Sequence, residues 1–324
     1  MSINYQRFYF NGKSILNPGH LIDDLEKLYN KFQDKKIIYL AGDSSLDNKH
    51  WLGTSRVNAV NGYETILNPP QSIPDVAYQI NKICFDNKLQ HVCINTSVEA
   101  TALRDRDSNL LDEDRFIRDH IREQDGLIVS VGGNDIALKP TEDTRKYLQN
   151  ILTNSNTDQA LIYFENLFKS KIKNYIEKLI SKKKPKFIII CMIYYPCEHG
   201  TSWAQSTLDS FNYKYGSADN EKLRSFIRTL YKLIQKIKID NTNIIYCPLY
   251  EVLDPLKLEH FEHRVEPSIE GGRLMARRFI NDMKLFYIPN LINEIVIESN
   301  LININNKNKD TYDKKVKEVK LYLS

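Results

Sequence analysis

Residues 37–51 read IIYLAGDSSLDNKHW, and this stretch constrains the chain more than any other. Ile37, Ile38, Tyr39 and Leu40 form an apolar run without polar interruption, which predicts a strand covered on both faces and therefore a parallel sheet between layers of helix. Gly42 permits a tight turn where the strand stops. Asp43 and Ser44 are turn and helix-cap residues. A strand that ends this way delivers a serine hydroxyl to the carboxyl-terminal rim of the sheet, where open α/β proteins bind their ligands.

The rest of the chain repeats the alternation that such a sheet requires. Apolar runs at 91–94, 126–131, 186–193 and 243–248 read as four more strands. Between them, helical spacing of apolar residues predicts helices over 19–35, 74–87, 112–124, 157–183, 220–239 and 271–286, with a final short helix at 289–298. Gly53, Gly62, Pro69, Pro70 and Pro74 make 52–77 a long loop. Strands alternating with helices imply right-handed crossovers and a parallel sheet. The expected fold class is therefore α/β: a three-layer α/β/α sandwich, flavodoxin-like, with a central parallel five-stranded sheet. One domain over 1–299 accounts for all five strands. Residues 300–324 read as an Asn/Lys-rich, solvated C-terminal tail with a terminal helix in it.

Composition narrows the function classes. At 324 residues and 42% hydrophobic content the chain can bury a substantial core. With 45 Lys+Arg against 41 Asp+Glu, a net charge of +4 does not point to nucleic acid as a partner. Cys84, Cys93, Cys191, Cys197 and Cys247 contain no CxxC pair, so buried reduced thiols are expected and neither a zinc site nor any other metal or cofactor is called for. The first residues, MSINYQRFYFNGK, lack a basic segment followed by an apolar one. The apolar run at 187–195 is too short to span a bilayer. The expectation is a cytoplasmic location with no membrane span.

Chemistry-bearing residues gather where the strands end. Gly42-Asp43-Ser44-Ser45 offers a nucleophile, and Asn95 to Thr101 offers small residues whose amides can approach a ligand. Gly132-Gly133-Asn134-Asp135 offers a side-chain amide held by glycines, and 250–272 carries His260 and His263. A serine needs a base to become a nucleophile and donors to stabilise the oxyanion it creates. Singly, each segment is an ordinary turn; in this order and at these strand ends they make a functional set. His50 and Trp51 follow the serine, with packing the expected role of Trp51. Arg104 and Arg106, with Asp105 and Asp107, read as a solvated charge cluster.

These blocks resemble the SGNH (GDSL-type) hydrolase family, in which Ser, Gly, Asn and His come from four successive blocks. The matching residues are Gly42-Asp43-Ser44-Ser45, Gly132-Gly133-Asn134-Asp135, and His263-Arg264-Val265-Glu266-Pro267-Ser268, and the likeness spans most of 36–285. The resemblance implies a serine esterase or acyl hydrolase acting on a small-molecule, carbohydrate or lipid ester. Ser44 would attack the carbonyl and His263 would serve as general base and then acid. The Ser44 amide, the Ala100 amide and the Asn134 side chain would form the oxyanion hole. Two departures stand out. Ala100 replaces the glycine of the second block. The family's acid lies three residues before its histidine, and here that position is His260. Asp254, Glu259, Glu262, Glu266 or a backbone carbonyl is left to orient His263. If His260 were the base instead, Lys257 would hold the acid's place. The same departures motivate a non-catalytic binding protein on this fold, and acyl transfer would use the same serine.

Overall fold

The five apolar runs form one sheet in the computed structural model, which describes residues 2–10, 19–305 and 309–323. The strands are β1 (Lys36–Gly42), β2 (His91–Asn95), β3 (Gly126–Ser130), β4 (Phe187–Met192) and β5 (Ile244–Pro248). Their order is β2-β1-β3-β4-β5 and every pairing is parallel. This is the doubly wound order of flavodoxin-like folds, with the direction of winding reversing between β1 and β3. Residues leaving the ends of those two strands diverge and open a crevice. Ser44 follows β1 and Asn134 follows β3, so both border it.

The helices around the sheet and site are α1 (Ile22–Lys31), α2 (Val76–Asp86), α3 (Asp112–His120), α4 (Gly133–Ala137), α5 (Glu142–Thr153), α6 (Thr157–Glu165), α7 (Ile172–Leu179), α8 (Asn220–Ile234), α9 (Ile269–Asn305) and α10 (Lys309–Leu323), and two further short helices span Tyr5–Phe10 and Gln205–Ser210. Alternation along the strands divides the core between the two faces of the sheet. Ile37, Tyr39, Ala41, Leu127, Val129, Ile188 and Ile190 pack with α1, α3, α6, α7 and α8. Ile38, Leu40, Ile128, Ile189 and Cys191 pack with α2 and α9, through Val76, Ile80, Met275 and Phe279. The three-layer sandwich is thus present, and among the described residues no helix is long and apolar enough to cross a membrane. All five cysteines are free and buried.

Details differ from the sequence reading where tertiary contacts decide. The helix expected over 157–183 is α6 and α7, joined by a wider π-type turn at Asn166–Lys171. The helices expected at 271–286 and 289–298 are one continuous helix, α9. Within the expected tail, α10 places Glu318 in an ion pair with Lys36 and packs Val319 against the α2–α9 face. The loop at 52–77 contains a two-residue antiparallel bridge, Val57–Asn58 with Gln71–Ser72.

In the charge cluster at 104–107, Asp105 and Asp107 are exposed as expected, but Arg106 is not solvated surface. Arg106 is 1% exposed. Its Nε donates to Asp114 at 3.0 Å, one terminal nitrogen donates to Thr101 Oγ1 and the Ala102 carbonyl, and the other to the Gly42 carbonyl at 3.0 Å. Tyr175 of α7 donates to the other oxygen of Asp114 at 2.6 Å. One guanidinium therefore joins the end of β1, the loop after β2, α3 and α7. Removing one member of a buried ion pair strands the other, at a cost of about 3–5 kcal/mol. Arg106→Leu is expected to lower the unfolding free energy by about that amount in urea titration. Truncating the exposed ion pair Lys82–Asp86 is expected to change it by less than about 1 kcal/mol.

Candidate active site

Gly42 is required where β1 meets β3. A Cβ there would lie 2.1 Å from the Ser130 carbonyl oxygen, so only hydrogen fits. The chain then turns, with the amides of Leu46 and Asp47 donating to the Asp43 carbonyl at 3.0 and 2.9 Å. Asp43 and Ser45 anchor this turn inward. The Ser45 hydroxyl lies 2.8 Å from Asp43 Oδ1 and 2.7 Å from Ser130 Oγ. Burial pushes the Asp43 carboxyl up to about 6, and its bonds from Ser45 pull the other way. Ser44 is the residue of the turn that faces the crevice, and its hydroxyl donates to Glu266 Oε1 at 3.2 Å.

Glu266 is held from several directions. It lies on a short antiparallel ribbon in which Phe261 pairs with Pro267 and Glu262 with Glu266. The ribbon turns through His263 and Arg264, both at positive φ (45° and 68°). Arg264 pins that turn by donating to the carbonyls of Cys197 and Tyr213 at 2.8 and 2.9 Å. On either side of Glu266, Tyr194 donates to the Val265 carbonyl and Asn48 to the Pro267 carbonyl. The Trp203 indole N–H donates to Glu266 Oε1 at 2.9 Å. Oε1 thus accepts two hydrogen bonds, while the buried Oε2 has no protein partner. Burial pushes this carboxyl up to about 8, with the bonds from Ser44 and Trp203 opposing and the charges of Asp43 and Glu99 reinforcing the rise.

The hydrogen bond expected between Ser44 and His263 is a Ser44–Glu266 bond in the structure. His263 is exposed and its ring stands against Trp51, with centroids 5.1 Å apart. His260 is buried, and its Nδ1 accepts the Asp254 amide at 3.0 Å, which makes it a structural loop residue. Glu259 is exposed and Glu262 half-buried; the Glu259 carbonyl accepts from the Ser268 hydroxyl. Of the carboxylates considered as partners of a histidine, Glu266 is the one that reaches the serine directly. Glu266 lies three positions after His263. An acid was expected three residues before His263; the carboxylate that meets Ser44 lies three residues after it.

The donors for an oxyanion lie on the same rim. Asn134 Nδ2 donates to the Thr101 carbonyl at 2.9 Å, which leaves its second hydrogen free. Asp135 accepts the amides of Leu103 and Arg104 at 2.6 and 3.2 Å and so holds the loop after β2 against α4. Among the described residues, the Ser44 and Ala100 amides have no protein acceptor. Ala100 sits at φ +57°, the left-handed region that glycine enters freely. Gly132, at φ +99° with a notional Cβ 3.0 Å from Phe168, is the turn that starts α4 and aims Asn134.

Ser44, Asn134, Trp203 and Glu266 border a cavity of about 110 Å³ that continues between α8 and the turn joining α6 to α7. Among the described residues no group of His, Cys, Asp and Glu side chains is arranged to hold a metal ion. The sequence did not single out Trp203, and Glu266 was considered there only as a partner of His263. The Glu-Pro-Ser sequence beside the glycines of 271–272 was the available signal.

No protein-family model matches the chain, and no curated protein matches it. Several solved structures are similar in chain course at low identity. An acetylxylan esterase from Geobacillus stearothermophilus, Axe2, is 14% identical, with a TM-score of 0.42 over 78% of this chain and 95% of that one. A lipase from a goat rumen metagenome is 12% identical, with a TM-score of 0.46 over 76% and 97%. A family 3 carbohydrate esterase from Clostridium thermocellum is 11% identical, with a TM-score of 0.40 over 75% and 92%.

A left-handed non-glycine residue carries a strain of about 1–2 kcal/mol, partly offset by the greater backbone freedom of glycine. Ala100→Gly is therefore expected to stabilise the protein by up to about 1 kcal/mol. Chemical denaturation checks this, and a loss of stability would mean that the Ala100 methyl makes contacts worth more than the strain.

Proposed function

We propose that this chain is a serine hydrolase of ester bonds in which Ser44 is the nucleophile and Glu266 its base. The observation that carries the reading is the Ser44–Glu266 hydrogen bond at the end of β1, opening onto a cavity that Asn134 also borders. In this mechanism Glu266 takes the Ser44 proton as Oγ attacks the carbonyl carbon. The tetrahedral oxyanion is met by the Ser44 and Ala100 amides and by the free hydrogen of Asn134 Nδ2. Glu266 returns the proton to the leaving alcohol as the C–O bond breaks. It then takes a proton from the water that attacks the acyl carbonyl and returns it to Ser44 Oγ as the acyl C–O bond breaks. Trp203 keeps Oε1 aimed at Ser44 and favours the ionised form.

A base of this kind has its own pH signature. Hydrolysis of p-nitrophenyl butyrate is expected to rise with pH through about 8, where Glu266 ionises, well above the range of an ordinary histidine. Ser44→Ala is expected to abolish turnover, and Glu266→Gln to lower kcat by roughly 10²–10⁴. Trp203→Phe removes a hydrogen bond to the ionised carboxylate, so the inflection moves to higher pH. Stability carries a matching sign. Glu266 keeps its proton to about 8 when folded, against a usual value of 4.5. Wild-type stability therefore falls as pH climbs from about 4.5 through 8, and Glu266→Gln loses that slope. A profile governed by a group near 6.5, retained in Glu266→Gln and lost in His263→Ala, would return the base to His263.

A second reading is favoured by the same carboxyl. Protonated at neutral pH, Glu266 is a poor base, and a binding protein on a hydrolase-like frame would present such a site. Labelling with a fluorophosphonate probe separates the two. Modification of Ser44 that strengthens between pH 7 and 9 supports catalysis, and none at either pH in folded protein supports binding.

A further inference from the structure

The cavity beside Ser44 carries most of its polar groups at one end. Asp43, Ser44, Ser45, Asn134 and Glu266 belong to the rim and Thr207 to one wall, while Phe168, Phe211, Phe226 and Leu230 make its depth. These four side chains are at most 4% exposed. Phe211 and Phe226 lie nearly parallel with centroids 6.3 Å apart, and Phe226 also meets Phe164 edge-on at 4.8 Å. The walls are thus built into the core face that α6, α7 and α8 share with the sheet. Hydroxyl groups placed this deep would lose water and find no partner, at a cost of a few kcal/mol each. Alkyl groups meet no such penalty.

From this arrangement we propose that the site takes esters of medium-length, unbranched aliphatic acids, with the acyl chain running from Ser44 into the α6–α8 layer. The inference rests on the proposed Ser44 reaction. The acyl side is assigned because the two halves of an ester leave differently. In the acyl-enzyme the chain stays tethered to Oγ, so a buried chain leaves the rim open for water. A buried alcohol would have to leave through the entrance that the incoming water needs. The rim beside Ala100 and His263 is exposed and suits the departing group. Length follows from volume. An apolar cavity of about 150 Å³ can hold benzene, so about 110 Å³ corresponds to roughly four to six carbons beyond the reacting carbonyl.

The test is kcat/KM across p-nitrophenyl esters from acetate to palmitate. It is expected to rise roughly fourfold per added methylene up to an optimum between about pentanoate and heptanoate and then to fall. Thr207 lines the cavity wall, and Thr207→Phe is expected to move the optimum toward shorter chains, with thermal melting confirming that the variant folds. Ser44→Ala protein supplies a readout without turnover: it is expected to bind hexanamide at least tenfold more tightly than acetamide by calorimetry. A preference for acetate together with equal affinity for the two amides would overturn the chain-length proposal and leave the Ser44 reaction standing. Selective hexanamide binding in a protein that hydrolyses no ester would support the pocket and overturn the reaction.

Discussion

The side chain that organises this molecule is Arg106. Its guanidinium sits among Asp114, the Thr101 hydroxyl and the carbonyls of Ala102 and Gly42, almost without contact with water. A buried guanidinium must have its donors satisfied, and here the acceptors come from three segments: the end of β1, the loop after β2 and α3. Gly42 is the residue before Asp43 and Ser44. Thr101 follows Ala100 and also receives the Asn134 amide. The Ser44 turn, the loop after β2 and the turn after β3 are therefore held in register by charge that cannot be solvated elsewhere. Asp135 adds a second tie by accepting the amides of Leu103 and Arg104. The geometry of the rim is a consequence of where these buried charges find partners.

The same principle explains the character of Glu266. A carboxyl packed between Trp203, Tyr194 and Ser44, with Asp43 and Glu99 contributing like charge, has little reason to ionise. Its two hydrogen bonds converge on one oxygen, so the other is poised toward the cavity without a protein partner. A histidine at this place would be neutral or cationic near neutrality, whereas Glu266 is neutral or anionic.

The cavity joins the site to the core. Its walls are side chains that also close the α6–α8 layer over the sheet, so the shape offered to a ligand is set by helix packing more than by loop sequence. The wide turn at Asn166–Lys171 contributes here, because it carries Phe168 against both Gly132 and the cavity. Fold and specificity are coupled at that point: the ring that makes room at the bottom of the pocket also braces the turn that aims Asn134.

Much of this was legible in the residues. Apolar runs of strand length, each followed by glycine or small polar residues, are enough to give a five-stranded parallel sheet and to put Ser44 and Asn134 at its rim. Those signals are local, since they depend on backbone propensity and on what a strand buried on both faces can carry. The partner of Ser44 was not legible in that way. His263 and Glu266 lie three residues apart on a ribbon whose turn uses two positive-φ residues, and a pattern cannot tell which of them turns inward. Arg106 looked like surface charge because its burial depends on the Gly42 carbonyl at the end of β1 and on α7, both distant in sequence, and the helix from residue 269 looked shorter because its packing on α2 is not local. Sequence alone determined which chemistry could gather at the end of β1. Tertiary structure decided that Glu266 would meet the serine, because buried hydrogen bonds from Arg264, Tyr194, Asn48 and Trp203 leave that ribbon one way to lie.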